Sequence, residues 1–334
     1  NIQGKAGLFG GKFSLNGHVN YNLNRNGNIS SMYQEQYLTG GNQYSASANE
    51  GNSKGRSVNS SLMGEWKVDK STRVNFSGNF GYTPNQNESN SQSASFDAPP
   101  GVNHENLFSD FESVPRDIKV NRSENRSRSE NESHRYHWAM GVMRRLNEKG
   151  TTLGLNIQNS DSWGNNESFS LSETTYFRLK DKNGNDSVLY RNQYLKSPQR
   201  NNSWRVGLSF TQPVGKKVRL RVAYNWSTRY ERSNRDTYEL SSLASSDIYG
   251  ELPSGYEAGY VDSLSNRSHS RSNGHDLNVG VNYSDDTWMF NASLGVTPQR
   301  RTIDRKVGKL YADTAMNMID FQPMIWMSWG KKEM

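Results

Sequence analysis

A chain without cysteine has no thiolate nucleophile, no disulfide framework and no cysteine metal site, and this sequence contains none. Histidine is the next candidate. Of its 6 His, His269 and His275 lie six residues apart in a Ser-, Arg- and Asn-rich stretch with no carboxylate at ligand spacing, so surface histidines are expected there rather than a metal site. The segment Asp181-Lys182-Asn183-Gly184-Asn185-Asp186 has the look of a calcium loop. Its glycine falls at the fourth position, however, and position twelve is Asn192, so the ligand set fails and the segment reads as a hairpin tip. Glu231, Asp236 and Glu239 read as carboxylates in a polar connection, and Arg300, Arg301, Arg305, Lys306 and Lys309 as a solvated basic loop. No Gly-rich phosphate loop precedes a helix and no nucleophile elbow occurs. The residue pattern therefore supports no enzyme: no catalytic, cofactor-binding or metal residue is expected, no cofactor is implied, and substrate-binding residues carry no signature.

The arginines are more informative, because four of them sit inside alternating stretches. From Trp204 to Phe210 apolar residues alternate with Arg205, Gly207 and Ser209. After the turn Pro213-Val214-Gly215-Lys216-Lys217, the residues Val218, Leu220, Val222, Tyr224 and Trp226 alternate with Arg219, Arg221, Ala223 and Asn225. That is the period of a strand with one apolar face. Arg73 stands in the same relation to Val74, Phe76, Phe80 and Tyr82. Arginine, Asn and Ser on the second face suit a water-filled lumen.

Composition fixes how such strands can be used. With 32% hydrophobic residues and a mean hydropathy of -0.94, 334 residues are too polar to fill a conventional core, yet 8 Trp and 17 Tyr argue against disorder. The apolar residues must cover a thin surface. A net charge of +7 is a mild excess that reads as a mixed-charge surface, with no nucleic-acid partner implied. No apolar run is long enough for a transmembrane helix, and Asn1 to Gly11 lack the pattern of a signal peptide.

Read in order, the chain predicts hairpins near 13–37 (with a turn at Asn24-Arg25-Asn26-Gly27-Asn28), 57–82, 135–158, 203–227 and 276–297, and a last strand near 320–330. Connections at 24, 69, 147, 213, 284 and 330 are short, the last being Gly330-Lys331-Lys332-Glu333. Those from 38, 83, 160, 228 and 298 are long and polar, although the charged and serine-rich run from Asn121 to Arg135 favours strand extending into water. Short turns at one edge and long polar loops at the other predict an all-β, antiparallel transmembrane β-barrel segment of about eleven strands in a single domain, 1–334. Trp66, Phe76, Tyr283 and Trp288 are expected in the aromatic girdle at the tight edge, and Tyr82, Trp138, Trp204 and Trp226 in the girdle at the loop edge.

Gly17-His18-Val19-Asn20-Tyr21-Asn22-Leu23 running into the Asn-Gly turn, and Phe321-Gln322-Pro323-Met324 followed by Gly330-Lys331-Lys332, resemble the large outer-membrane β-barrel family related to TonB-dependent receptors. The resemblance extends over nearly the whole chain. It implies the outer membrane of a Gram-negative bacterium, with the lipid bilayer as partner. It further implies energised uptake of a nutrient or chelate through a plug domain contacting the TonB system, with signal peptide and plug upstream of this sequence. A non-transporting barrel in adhesion or assembly, and a secreted β-rich binding protein, are the competing expectations. An odd strand count, about half the 22 of plugged transporters, predicts an open sheet from a longer precursor.

Overall fold

The computed structural model describes residues 2–8 (backbone), 11–37, 39, 41–243 and 249–330. The expected turn at Gly330-Lys331-Lys332-Glu333 lies outside the described residues beyond its glycine. One antiparallel sheet takes in all the strands, each paired with its neighbours in sequence, and its first and last strands do not pair. After a short edge segment β1 (Ile2–Leu8) come β2 (Phe13–Gln36), β3 (Gln43–Lys67), β4 (Thr72–Phe96), β5 (Lys119–Arg145), β6 (Thr152–Lys180), β7 (Asp186–Val214), β8 (Val218–Glu239), β9 (Asn266–Ser284), β10 (Trp288–Val307) and β11 (Leu310–Trp329). Among the described residues, helix is limited to single 3-10 turns in 104–118 and 256–264. Among the described residues no helix is long and apolar enough to cross a membrane.

The register explains the sheet. One line of paired residues runs Phe13, Trp66, Val74, Val142, Leu155, Leu208, Tyr224, Leu277, Val296, Phe321 across ten strands, and every member is apolar or aromatic. One residue over, the opposite face reads Ser14, Glu65, Asn75, Gly141, Asn156, Gly207, Asn225, Asp276, Thr297, Asp320, with no large apolar side chain. Pleating sends neighbouring residues to opposite faces, so the sheet has one apolar and one polar side through this zone. Among the described residues nothing packs over the apolar side: Leu208 is 49% exposed, Val279 50% and Leu294 51%. The buried apolar cluster lies elsewhere, at the far ends of β3 and β4, where Tyr44, Phe96, Leu107, Phe111 and Val114 hold the 97–118 connection against the sheet.

The apolar zone crosses the rows diagonally. Phe13 opens β2 in the row of Phe321, whereas β11 continues eight residues further, to Trp329. At ~3.3 Å per residue and ~4.8 Å per strand, that stagger over nine strand steps tilts the strands by about 30°, close to the 35–45° of membrane barrels. On β8 the apolar face runs from Val218 to Trp226, and on β7 from Trp204 to Val214. Along tilted strands this gives a band about 25–30 Å high, the thickness of a bilayer's hydrocarbon. All eight expected girdle aromatics lie on the apolar face. Trp66, Phe76, Tyr283 and Trp288 stand within a turn or two of the tight edge, and Tyr82, Trp138, Trp204 and Trp226 roughly a bilayer's height along their strands. Trp138 and Trp204 meet edge to face at 5.6 Å.

Three expectations need correction. Residues 13–37 form no hairpin: Asn24 to Asn28 continue β2, paired without interruption to Gly55 through Gly51 of β3. Ten long strands, β2 to β11, therefore make the sheet where about eleven arms were expected, with β1 a seven-residue addition at its edge. Third, most of the supposed long connections are strand. At the far edge Lys180 and Asp186 flank a tight hairpin tip, Val307 and Leu310 another, and only 97–118 and 240–265 are long. The Asn121 to Arg135 run is strand, as its alternation favoured. Beyond the apolar zone side-chain hydrogen bonds accompany the backbone ladder, Ser123 with Thr174 at 3.0 Å and Ser89 to Asn49 at 3.0 Å among them.

Candidate solute-binding surface

The polar side is the concave one. A single basin of about 770 Å³ is lined by Asn87, Ser129, Ser162, Ser197, Glu231, Ser268 and Arg301, which come from the seven consecutive strands β4 to β10. Seven strands span roughly 29 Å if flat, so they can share one basin only by curling towards that face. A second basin, about 640 Å³, adjoins it through Glu231, Ser270 and Arg301. A third, about 830 Å³, lies nearer the tight edge around Arg219, Arg221, Asn225, Asn282 and Asn291. Together they form a trough along the strands.

The expected lumen-facing arginines are all on this side. Arg73 pairs with Met143 in a row leading through Gly154 and Ser209 to Ala223, and Arg205 pairs with Ser227. Arg219 and Arg221 share the face with both, four and two residues from Ala223 respectively. Among the described residues, none of these four makes an ion pair.

The charged centre of the trough was not foreseen. Glu231 and Arg301 were read as loop residues, yet Glu231 lies on β8 and Arg301 on β10, both turned into the second basin. Arg229 Nη2 stands 2.5 Å from Glu231 Oε1, and Arg301 Nη2 lies 3.9 Å from Glu231 Oε2. Neutral partners orient the two guanidiniums: Arg229 Nε donates to Asn201 Oδ1 at 3.3 Å and Arg301 Nε to Ser270 Oγ at 3.2 Å. With Arg205 the basin holds three guanidiniums and one carboxylate. Cross-strand register would have found it: Arg229, Ser272 and Arg301 occupy one pair line, which the spacing within any single strand does not show.

The remaining candidates disperse. His269 and His275 are on β9, not in a loop. Six residues along a strand separate them by about 20 Å, and His275 Nδ1 is 2.7 Å from the Tyr224 hydroxyl. Among the described residues no group of His, Asp and Glu is placed to hold a metal ion. Asp236 and Glu239 are also on β8: Asp236 lies 3.6 Å from Arg267, and Glu239 accepts from the Asn192 amide at 3.2 Å. Arg300, Arg305 and Lys306 are strand residues of β10. At the hairpin tip, Asp181 Oδ1 accepts from the amides of Asn183 and Asn185 at 2.8 Å each, a turn clasp rather than a calcium site.

No protein-family model matches the chain, and no curated protein matches it. A solved structure, the outer membrane protease OmpT from Escherichia coli, is similar over 94% of this chain and 96% of its own, at 10% identity and a TM-score of 0.28. Identity and TM-score at this level transfer neither architecture nor protease activity, and what the chain shows in its own right is a single curled antiparallel β-sheet with one apolar and one polar face.

Proposed function

We propose that residues 1–334 belong to one transmembrane β-barrel domain of a Gram-negative outer membrane, whose concave face lines a passage for hydrophilic solutes. The observation that carries this is the ten-strand apolar row on an uncovered face, backed one residue away by a row without a large apolar side chain. A soluble sandwich would cover the apolar side with a second sheet; a bilayer covers it without one. Strand tilt, band height and the placement of the girdle aromatics support the same reading. The competing secreted binding protein would need further chain to keep this surface from water.

Energised uptake of a nutrient or chelate, with a plug and the TonB system as partners, is the finer expectation. It rests on two short sequence phrases, the first of which runs on as strand where a turn was expected. The polar trough supports passage of solute and is silent on its energy source.

Residues 1–334 contain no cysteine, so each introduced thiol is the single one in this stretch. In the full-length protein in membranes, Val222→Cys is expected to resist a membrane-impermeant maleimide, while Ser203→Cys on the concave face reacts. Equal labelling of the two would overturn the proposal.

A further inference from the structure

We propose that the basin around Arg205, Arg229 and Arg301 is an anion-selecting station, taking solutes that carry phosphate or carboxylate groups. The inference rests on the concave face being a solute passage, and it deepens that reading by naming the solute class.

Three features of the basin lead to it. Its charge does not balance: three guanidiniums face one carboxylate, Glu231, which is close to Arg229 at 2.5 Å but at 3.9 Å only loosely engages Arg301. Arginine remains charged at any physiological pH, so in the absence of an anion the basin keeps a local excess of two positive charges. The guanidiniums are also held ready. With Nε of Arg229 and Arg301 tied to Asn201 and Ser270, the terminal nitrogens of Arg301 project into the basin, and the planar fork matches a phosphate or carboxylate with two parallel hydrogen bonds. Finally, the geometry brackets a ligand. Arg229 and Arg301 share a pair line with Ser272 between them, so their Cα atoms are two strand spacings apart, about 10 Å. Arg205 sits one same-face step nearer the tight edge, with serine hydroxyls from Ser203 and Ser227 beside it. The volume, about 640 Å³, suits a small multiply charged solute.

Arg219 and Arg221 extend the pattern. They stand on the same face, and Arg221 is eight residues from Arg229 along β8. An anion leaving the basin towards the tight edge therefore meets a second pair of unpaired guanidiniums, surrounded by neutral Asn282, Asn291 and Ser293. Arginine stations separated along a polar wall are the arrangement by which pores favour anions over cations.

The test measures pyrophosphate and, as a neutral control, lactose binding to the detergent-solubilised full-length protein by calorimetry. Pyrophosphate is expected to bind, and lactose at least tenfold more weakly. Arg301→Gln and Arg205→Gln should each weaken pyrophosphate about tenfold or more, the loss expected for a hydrogen bond to a charged group. Arg301→Lys, which keeps the charge but not the fork, should fall between. Glu231→Gln should strengthen pyrophosphate binding by releasing Arg229, a change in the opposite direction from any loss caused by misfolding. Pyrophosphate binding no tighter than lactose, or unchanged by Arg301→Gln and Glu231→Gln, would overturn the inference. The maleimide pattern at Val222→Cys and Ser203→Cys separates the two failures: if it holds while pyrophosphate fails to bind, the passage stands and its anion selectivity falls.

Discussion

Arginine at Val222 tests the assignment of the apolar face more sharply than any deletion. Val222 is the midpoint of the apolar run on β8, four residues from Val218 and four from Trp226, and its pair line holds Phe210, Val279 and Leu294. It is 42% exposed, so a longer side chain meets no protein and the cost is that of the medium alone. In water Val222→Arg would be close to neutral. At a bilayer midplane it costs about 2–4 kcal/mol, and close to the interface about 0–1 kcal/mol. Val218→Arg, on the same face of the same strand but at the tight edge, should therefore cost far less. At 1.4 kcal/mol per decade, Val222→Arg shifts the folding equilibrium by about 30- to 1,000-fold. Urea titration of the full-length protein folding into phosphatidylcholine vesicles measures the difference, with Arg221→Gln as a control on the opposite face. Equal costs for Val218→Arg and Val222→Arg, or a Val222→Arg titration superposing on the unsubstituted one, would refute the depth argument.

Other outcomes follow from local structure. Asp285, in the tight turn between β9 and β10, accepts a hydrogen bond from the Tyr283 hydroxyl at 2.6 Å and from the amides of Thr287 and Trp288 at 2.9 and 2.7 Å, which hold its carboxyl well below the usual range. A depressed folded-state value means the clasp contributes fully above the ordinary carboxylate value of ~3.9 and is lost as pH falls further; protection of the Trp288 amide, its exchange relative to an unstructured chain at the same pH, should therefore fall in strong acid, and in Asp285→Asn it should be low already at neutral pH and unchanged by acid. Phe111 is 1% exposed and packs against Phe96 and Phe177, with Lys119 Nζ 4.4 Å over its ring, so Phe111→Ala should cost about 3–5 kcal/mol locally; protease should then cut within 97–118 while membrane assembly persists. Amides of Asn24 to Asn28 that pair with β3 should be protected from exchange, which a surface turn would not allow.

What the sequence discloses depends on the medium each face meets. From Trp204 to Trp226 one face is apolar and the other polar, so the pleat is written directly into the order of residues, and Gly215 at φ 74° marks the turn. Beyond the apolar band both faces are wet. Alternation then has nothing to encode, and strand such as Ser160 to Lys180 reads as linker. The same loss misplaced the turn at Asn24. Asn-Arg-Asn-Gly-Asn is a strong local turn signal, but Gly27 does not adopt the left-handed backbone such turns require, because five further pairs with β3 outweigh the local preference. The basin was hidden for a third reason: Arg229 and Arg301 are 72 residues apart in the chain and come together only through Ser272.

In the proposed membrane placement the strands do not stop where the lipid would. On β5 nineteen residues separate Trp138 from Lys119, about 50 Å of tilted sheet above the outer girdle. Mechanically this would be a thin curved plate clamped at one end, its free margin carrying the 97–118 segment and the described residues of 240–265 at the full length of the lever. Anything bound at that margin would then be held far from the bilayer surface by ladders of backbone hydrogen bonds, not by flexible tethers, its position fixed in angle as well as distance. A pull on the margin would be delivered as torque to the turns at Asp69, Asn147 and Asp285, and those clasps set how much load the anchored edge withstands.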